Sequence, residues 1–229
     1  MKRIGLNNNQ LKIIAMGTML IDHIGYLLFP TVEILGIIGR VSFPIFAFMI
    51  AEGYFYTRKK LNYFLNIFLL GIICQTVFFI VDGSLYLNIL LTFSLSILCL
   101  FFVERFLKRK NTLNFLYLLL IVLSIAVICF YLPKMLSRYF FEVDYGFFGV
   151  MLPVGIYTVK NFKLKIAVTA VILTLIALFS GGVQWFSYLA LPFLCLYNGK
   201  RGKYNLKLLF YVFYPLHFVV LYIIQVLVW

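Results

Sequence analysis

Long apolar stretches alternate along this chain with short polar connections, and the stretches have the length a bilayer demands. They run for about 15 to 24 residues each, most of them close to the roughly 20 that a helix needs to cross hydrocarbon. The period-2 alternation of a transmembrane barrel is absent. The pattern predicts spans at roughly 11–29, 34–56, 61–81, 86–104, 113–132, 143–159, 164–180, 183–197 and 206–229. The eighth is the shortest and holds Pro192. Irregular backbone facing lipid would leave its polar groups unsatisfied, so the expected fold is all-α, a polytopic membrane bundle of about nine helices. The linkers are brief, and neither a composition break nor a repeat divides the chain. Residues 1–229 therefore read as a single integral-membrane domain.

Composition supports that reading and removes the main alternative. With 64% hydrophobic and 12% charged residues among 229, a soluble domain could not bury its apolar surface. Twenty Lys and Arg against seven Asp and Glu raise the question of nucleic acid, which their placement answers. The basic residues gather in alternate connections: Lys2, Arg3 and Lys12; residues 58–60; Arg105 with residues 108–110; Lys160, Lys163 and Lys165; then Lys200, Arg201, Lys203 and Lys207. The intervening connections carry Lys134 and Arg138 with Glu33, Asp82, Glu142 and Asp144. Charge spread over five short loops on one side obeys the positive-inside rule and predicts a cytoplasmic N-terminus with an external C-terminus. It does not form a nucleic-acid face. The first apolar run is long and lacks a small-residue cleavage site, so it reads as a retained helix rather than a signal peptide. Cys74, Cys99, Cys129 and Cys195 fall inside spans without CxxC spacing, and neither a disulfide framework nor a metal site is expected.

The candidate chemistry lies in ionisable residues at bilayer depth, where they are costly unless paired or hydrated. Asp22 and His23 sit about 10 Å below the external end of the first span, and Arg40 about 9 Å below the same boundary in the second. A short connection around Pro30 to Glu33 makes these two helices antiparallel neighbours, so Arg40 can reach Asp22 or an anionic ligand beside His23. His217 lies about 15 Å from either face of the last span. The bland reading is a self-neutralising Asp22–Arg40 pair with His23 as a core hydrogen-bonder; the sharper one is a site that includes both histidines. Adjacent helical residues diverge, so Asp22 and His23 are free to serve different partners. Glu52 lies about 6 Å from the cytoplasmic end of its helix, where snorkelling or a salt bridge competes with substrate contact. Asp144 is placed to cap the sixth helix, and Asn88 to hydrogen-bond between helices. Pro44, Pro153, Pro192 and Pro215 are expected to kink their helices. Lys200, Arg201 and Lys203 stand in a loop flanked by Gly199 and Gly202, where close backbone approach and two kinds of cation can clamp phosphate. An ordinary cytoplasmic turn would look similar.

The blocks DHIG at 22–25, GRVSFPIFAFMIAEGYFYTR at 39–58, DYG at 144–146, YNGKRG at 197–202 and FYVFYPLH at 210–217 resemble the TraX family of membrane proteins, over essentially the whole chain. That family is named for the inner-membrane acetylase acting on the N-terminus of F-type conjugative pilin. More distantly the chain is similar to transmembrane acyltransferases, in which a buried histidine and arginine serve transfer from cytoplasmic acyl-CoA to an extracytoplasmic acceptor. The resemblance implies an acyltransferase of the bacterial inner membrane, with acetyl-CoA or another acyl-CoA as donor, no metal, and a peptide, pilin or glycan as acceptor. His23 is then the general base, with His217 competing for that role. Asp22 or a neighbour sets its tautomer, and Arg40 stabilises the oxyanion or positions the donor. Glu52, Asn88, Asp144 and Tyr145 are candidates for acceptor binding, and Lys200, Arg201 and Lys203 for the CoA phosphates. A proton-coupled transporter and a non-enzymatic assembly factor for a surface structure are the competing readings.

Overall fold

The computed structural model describes residues 5–204 and 206–228, apart from the side chains of residues 81, 82 and 207. Lys2 and Arg3 of the charge pattern, and the side chains of Asp82 and Lys207, lie outside the described residues. The protein is almost wholly helical. In chain order the helices are α1 (Asn8–Leu28), α2 (Glu33–Gly39), α3 (Ser42–Tyr56), α4 (Lys60–Asp82), α5 (Ile89–Lys108), α6 (Thr112–Ala126), α7 (Leu132–Met135), α8 (Gly146–Thr158), α9 (Phe162–Ser180), α10 (Ala190–Cys195) and α11 (Lys207–Val228). Strands β1 (Tyr86–Leu87) and β2 (Glu142–Val143) pair in parallel, with Tyr86 opposite Glu142.

Among the described residues seven helices are long and apolar enough to cross a membrane, with α2 and α3 together forming one of them over Glu33–Tyr56. The sixth and eighth expected spans are shorter apolar helices, Gly146–Thr158 and Gly182–Cys195. The sixth begins late because residues 142–143 are spent on β2, and the fourth because residues 86–87 are spent on β1. The eighth opens as a 3-10 helix, Gly182–Leu189, before it relaxes into α10.

Prolines account for two departures from regular helix. Pro44 has no N–H for the carbonyl of Arg40 and its ring crowds that carbonyl, so the second span breaks at Arg40 and Val41, between α2 and α3. Pro133 does the same to Cys129, and α6 passes through a π-helical turn, Val127–Tyr131, in which the N–H of Leu132 reaches back to the carbonyl of Val127.

The chain divides into two compact units, one of Met1–Met49 with Ala177–Trp229 and the other of Ile50–Ile176. In the first, α1 packs against α2 and α11, and α2 packs against the 3-10 helix. Asn7 and Gln10 start α1 with a reciprocal capping box, at 3.0 and 2.9 Å. In the second, α5 is central and packs against α4, α6 and α8. Asn88 caps α5 and donates to the carbonyl of Gly71 and to Gln75 Oε1 on α4, at 2.9 and 3.1 Å, so a buried amide fixes that helix pair.

Candidate functional site

The polar residues expected at depth converge within the first unit. Arg40, released from regular helix by Pro44, donates from Nη2 to both oxygens of Asp22 at 2.8 and 3.1 Å. Its Nε donates to the carbonyl of Gly36 and its Nη1 to Gln184 Oε1, each at 3.3 Å. Glycine lets the chains come this close. A Cβ on Gly39 would collide with the Asp22 carboxylate, and one on Gly25 would stand 2.7 Å from Leu35 Cβ. Asp22 is thus spent on Arg40.

The two histidines form a second, directed chain. His217, only 6% exposed, brings Nδ1 within 2.8 Å of the carbonyl of Phe213, one turn back on α11. A carbonyl only accepts, so that nitrogen carries the proton and, in the neutral ring, Nε2 holds the lone pair. His217 Nε2 lies 2.7 Å from His23 Nδ1. The rings are 22° from parallel with centroids 4.9 Å apart, close to what an in-line N–H···N bond between two five-membered rings requires. His23 Nδ1 must therefore be the donor. The lone pair of neutral His23 is left on Nε2, which has no hydrogen-bond partner among the described residues. The face of His217 stacks on Phe213 at 4.8 Å, and the edge of Phe218 meets His23 at 5.3 Å, so both rings are held in place. His217 rather than Asp22 is the neighbour that sets the tautomer of His23.

The 3-10 helix contributes the residues that sequence reasoning missed. With three residues per turn, positions i and i+3 lie one above the other. Gln184, Ser187 and Ala190 are accordingly buried, at 5%, 0% and 0% exposure, while Trp185, Phe186 and Leu189 between them, and Val183 before them, are exposed. Gln184 Nε2 and Ser187 Oγ are buried and find no hydrogen-bond partner among the described residues. The one signal in the sequence is the spacing Gln-x-x-Ser-x-x-Ala at 184–190, in the segment with the weakest span character.

The basic loop belongs to the same unit. Asn198 receives its neighbours by pairing with Leu6 and Gly5: its N–H donates to the carbonyl of Leu6 at 2.9 Å and its Nδ2 to that of Gly5 at 2.7 Å. The N–H of Asn8 donates to the carbonyl of Lys200 at 2.8 Å, and Asn9 Nδ2 to that of Tyr204 at 2.7 Å. Gly199 and Gly202 both take positive φ, at 75° and 93°. The loop is laced onto the first turn of α1, leaving Lys200, Arg201 and Lys203 exposed.

The remaining candidates lie in the second unit. Glu52 accepts from Lys165 Nζ at 2.7 Å. Asn88 is used between helices, as described. Asp144 accepts from the Tyr86 hydroxyl at 3.1 Å, while its carbonyl accepts from Thr92 at 3.0 Å. It does not occupy the N-cap of α8. That position is Tyr145, in the left-handed region at φ 59°, because the β2 pairing delays the helix by a residue. A further acidic hub, Glu104, accepts from Tyr54, Lys60 and Lys108 at 2.9, 2.6 and 2.9 Å. Among the described residues no group of three or more His, Cys, Asp or Glu side chains is arranged to hold a metal ion.

Comparison with known proteins places the chain in a family. An uncharacterised protein of Rickettsia prowazekii (strain Madrid E) is 31% identical over 140 residues, covering 59% of this chain and 49% of its own length. A probable fimbrial assembly protein, FimC of serogroup H1, from Dichelobacter nodosus is 22% identical over an alignment covering 96% of each chain. No solved structure matches the chain. The model of the family described as TraX protein matches residues 7–225, so this membrane-helical chain belongs to the TraX family.

Proposed function

We propose that the protein is an integral-membrane acyltransferase that moves an acyl group, acetyl by preference, from acyl-CoA to an amine or hydroxyl of a pilin, other surface peptide or glycan. The observation that carries the proposal is the chain from the Phe213 carbonyl through His217 to His23, which leaves one directed lone pair, on His23 Nε2. A base so oriented takes a proton at Nε2 without disturbing the bond that holds it. His217 is therefore the positioning residue and His23 the base. Membership of the TraX family and the fimbrial name of the Dichelobacter relative favour a pilus-related acceptor.

The reaction balances as follows. His23 Nε2 removes a proton from the acceptor as its nitrogen or oxygen attacks the thioester carbonyl carbon. The carbon–sulfur bond breaks, CoA departs as thiolate, and the proton passes from His23 to that sulfur. Arg40, neutralised as a pair by Asp22, orients Gln184 and lends positive potential to the developing oxyanion. Lys200, Arg201 and Lys203 supply cations for the CoA phosphates on the cytoplasmic side predicted by the charge pattern. His23 is 16 residues beyond Asn7, so the acyl arm runs extended along α1 for about 24 Å. The cell membrane of a bacterium is the corresponding location.

Purified full-length protein, given radiolabelled acetyl-CoA and a cell-surface extract from cells lacking the protein, should label an acceptor. His23→Ala and Arg40→Ala should each lower the rate by at least about 100-fold, the usual worth of a general base or oxyanion group, without lowering the melting temperature enough to unfold the protein. Undiminished turnover by both variants overturns the assignment.

A further inference from the structure

The two orphaned polar atoms of the 3-10 helix have a use that the histidine relay leaves open. Gln184 turns its amide oxygen to the Arg40 guanidinium, which has donors only, so the amide nitrogen is the end left over. An amide nitrogen buried without an acceptor loses its hydration with nothing in return, and Ser187, stacked one 3-10 turn away, adds a hydroxyl in the same condition. Eight residues is long for a 3-10 helix, and this one begins at Gly182 with Gly181 as its N-cap, both at positive φ. The unusual turn is what aligns Gln184 with Ser187. An α-helical turn would swing the i+3 side chain away from direct eclipse.

With the Gln184 oxygen already taken by Arg40, the stripe offers the N–H groups of Gln184 and the hydroxyl of Ser187, which can donate as well as accept, beside the positive field of Arg40. Such a set selects an oxygen that bears or gains negative charge. We infer that Gln184 and Ser187 form the oxyanion hole of the acyl transfer, receiving the carbonyl oxygen of the acyl thioester; this rests on the proposed function. As the acceptor attacks, the carbonyl π electrons move onto that oxygen, and the Gln184 N–H groups and the Ser187 hydroxyl hold it. When the electrons return, the carbon–sulfur bond breaks and the carbonyl re-forms on the acceptor. Gln184 is thereby a catalytic residue and Arg40 the residue that positions it.

Gln184→Glu separates this role from a structural one. The carboxylate keeps an acceptor for Arg40, so a purely structural Gln184 predicts transfer at the wild-type rate. Loss of the amide donors predicts a fall of about 100-fold or more, and Ser187→Ala a smaller one of about tenfold. The wild-type protein gives an independent reading. The carbonyl stretch of a bound, isotope-labelled ketone analogue of acetyl-CoA, with methylene in place of sulfur, should shift to lower frequency than in water. Transfer by wild type with an undiminished Gln184→Glu, or an unshifted carbonyl in wild type, overturns the oxyanion hole alone. No transfer by wild type at all overturns the acyltransferase reading and this inference with it.

Discussion

At the scale of single residues, the site is a division of labour between two part-buried pairs. Asp22 and Arg40 neutralise each other, while His23 and His217 share one directed hydrogen bond. His217→Ala should leave His23 present but unoriented and slow transfer by about 10- to 100-fold, the range seen for metal-bound histidines that lose the partner orienting them. His217→Gln, whose amide oxygen can accept from His23 Nδ1, should recover part of that loss in the same radiolabel assay. Asp22, His23, Arg40 and His217 were legible in the sequence because charge and imidazole are expensive at bilayer depth. Which histidine keeps an unengaged ring nitrogen was not, since that turns on one backbone carbonyl, at Phe213, which no side-chain pattern records. Gln184 and Ser187 were missed for the opposite reason. A neutral amide and a hydroxyl cost little enough in a helix bundle to pass as interhelical hydrogen-bonders. Glu52 pairs with Lys165, and Asn88 caps α5.

At the scale of elements, breaks in helices place the chemistry. Pro44 opens the second span at Arg40, and the glycines at 181 and 182 start the 3-10 turn that aligns Gln184 and Ser187. The close approach of α1 and α2 depends on Gly39, whose Cβ position is filled by Asp22, whereas Gly36 three residues earlier faces open space. Gly39→Ala should therefore displace the carboxylate, lower the melting temperature and reduce transfer. Gly36→Ala should leave both within error of wild type. Equal effects of the two substitutions, measured by thermal unfolding in detergent, would contradict the packing account. Span lengths predicted where most helices lie, because twenty apolar residues have few other uses. They did not predict the short β1–β2 pairing that trims the fourth and sixth segments, since two-residue strands leave no periodic trace.

At the scale of the whole molecule, the basic loops and the proposed acyl transfer point to one direction of work. In that proposal, cations concentrated in alternate connections draw an anionic donor from the side that the charge pattern predicts to be cytoplasmic, and the acceptor meets Asp22, His23 and Arg40 from the opposite side. The central claim is that His23 delivers an acyl group to a molecule at the cell surface. Mass spectrometry of surface peptides and glycans tests it most directly, comparing cells that carry the wild-type protein, the His23→Ala variant at equal abundance, or neither. The account predicts a species heavier by one acyl group with the wild-type protein and its absence from the other two. The same acylated species in all three, or in the His23→Ala cells at the wild-type level, would contradict it.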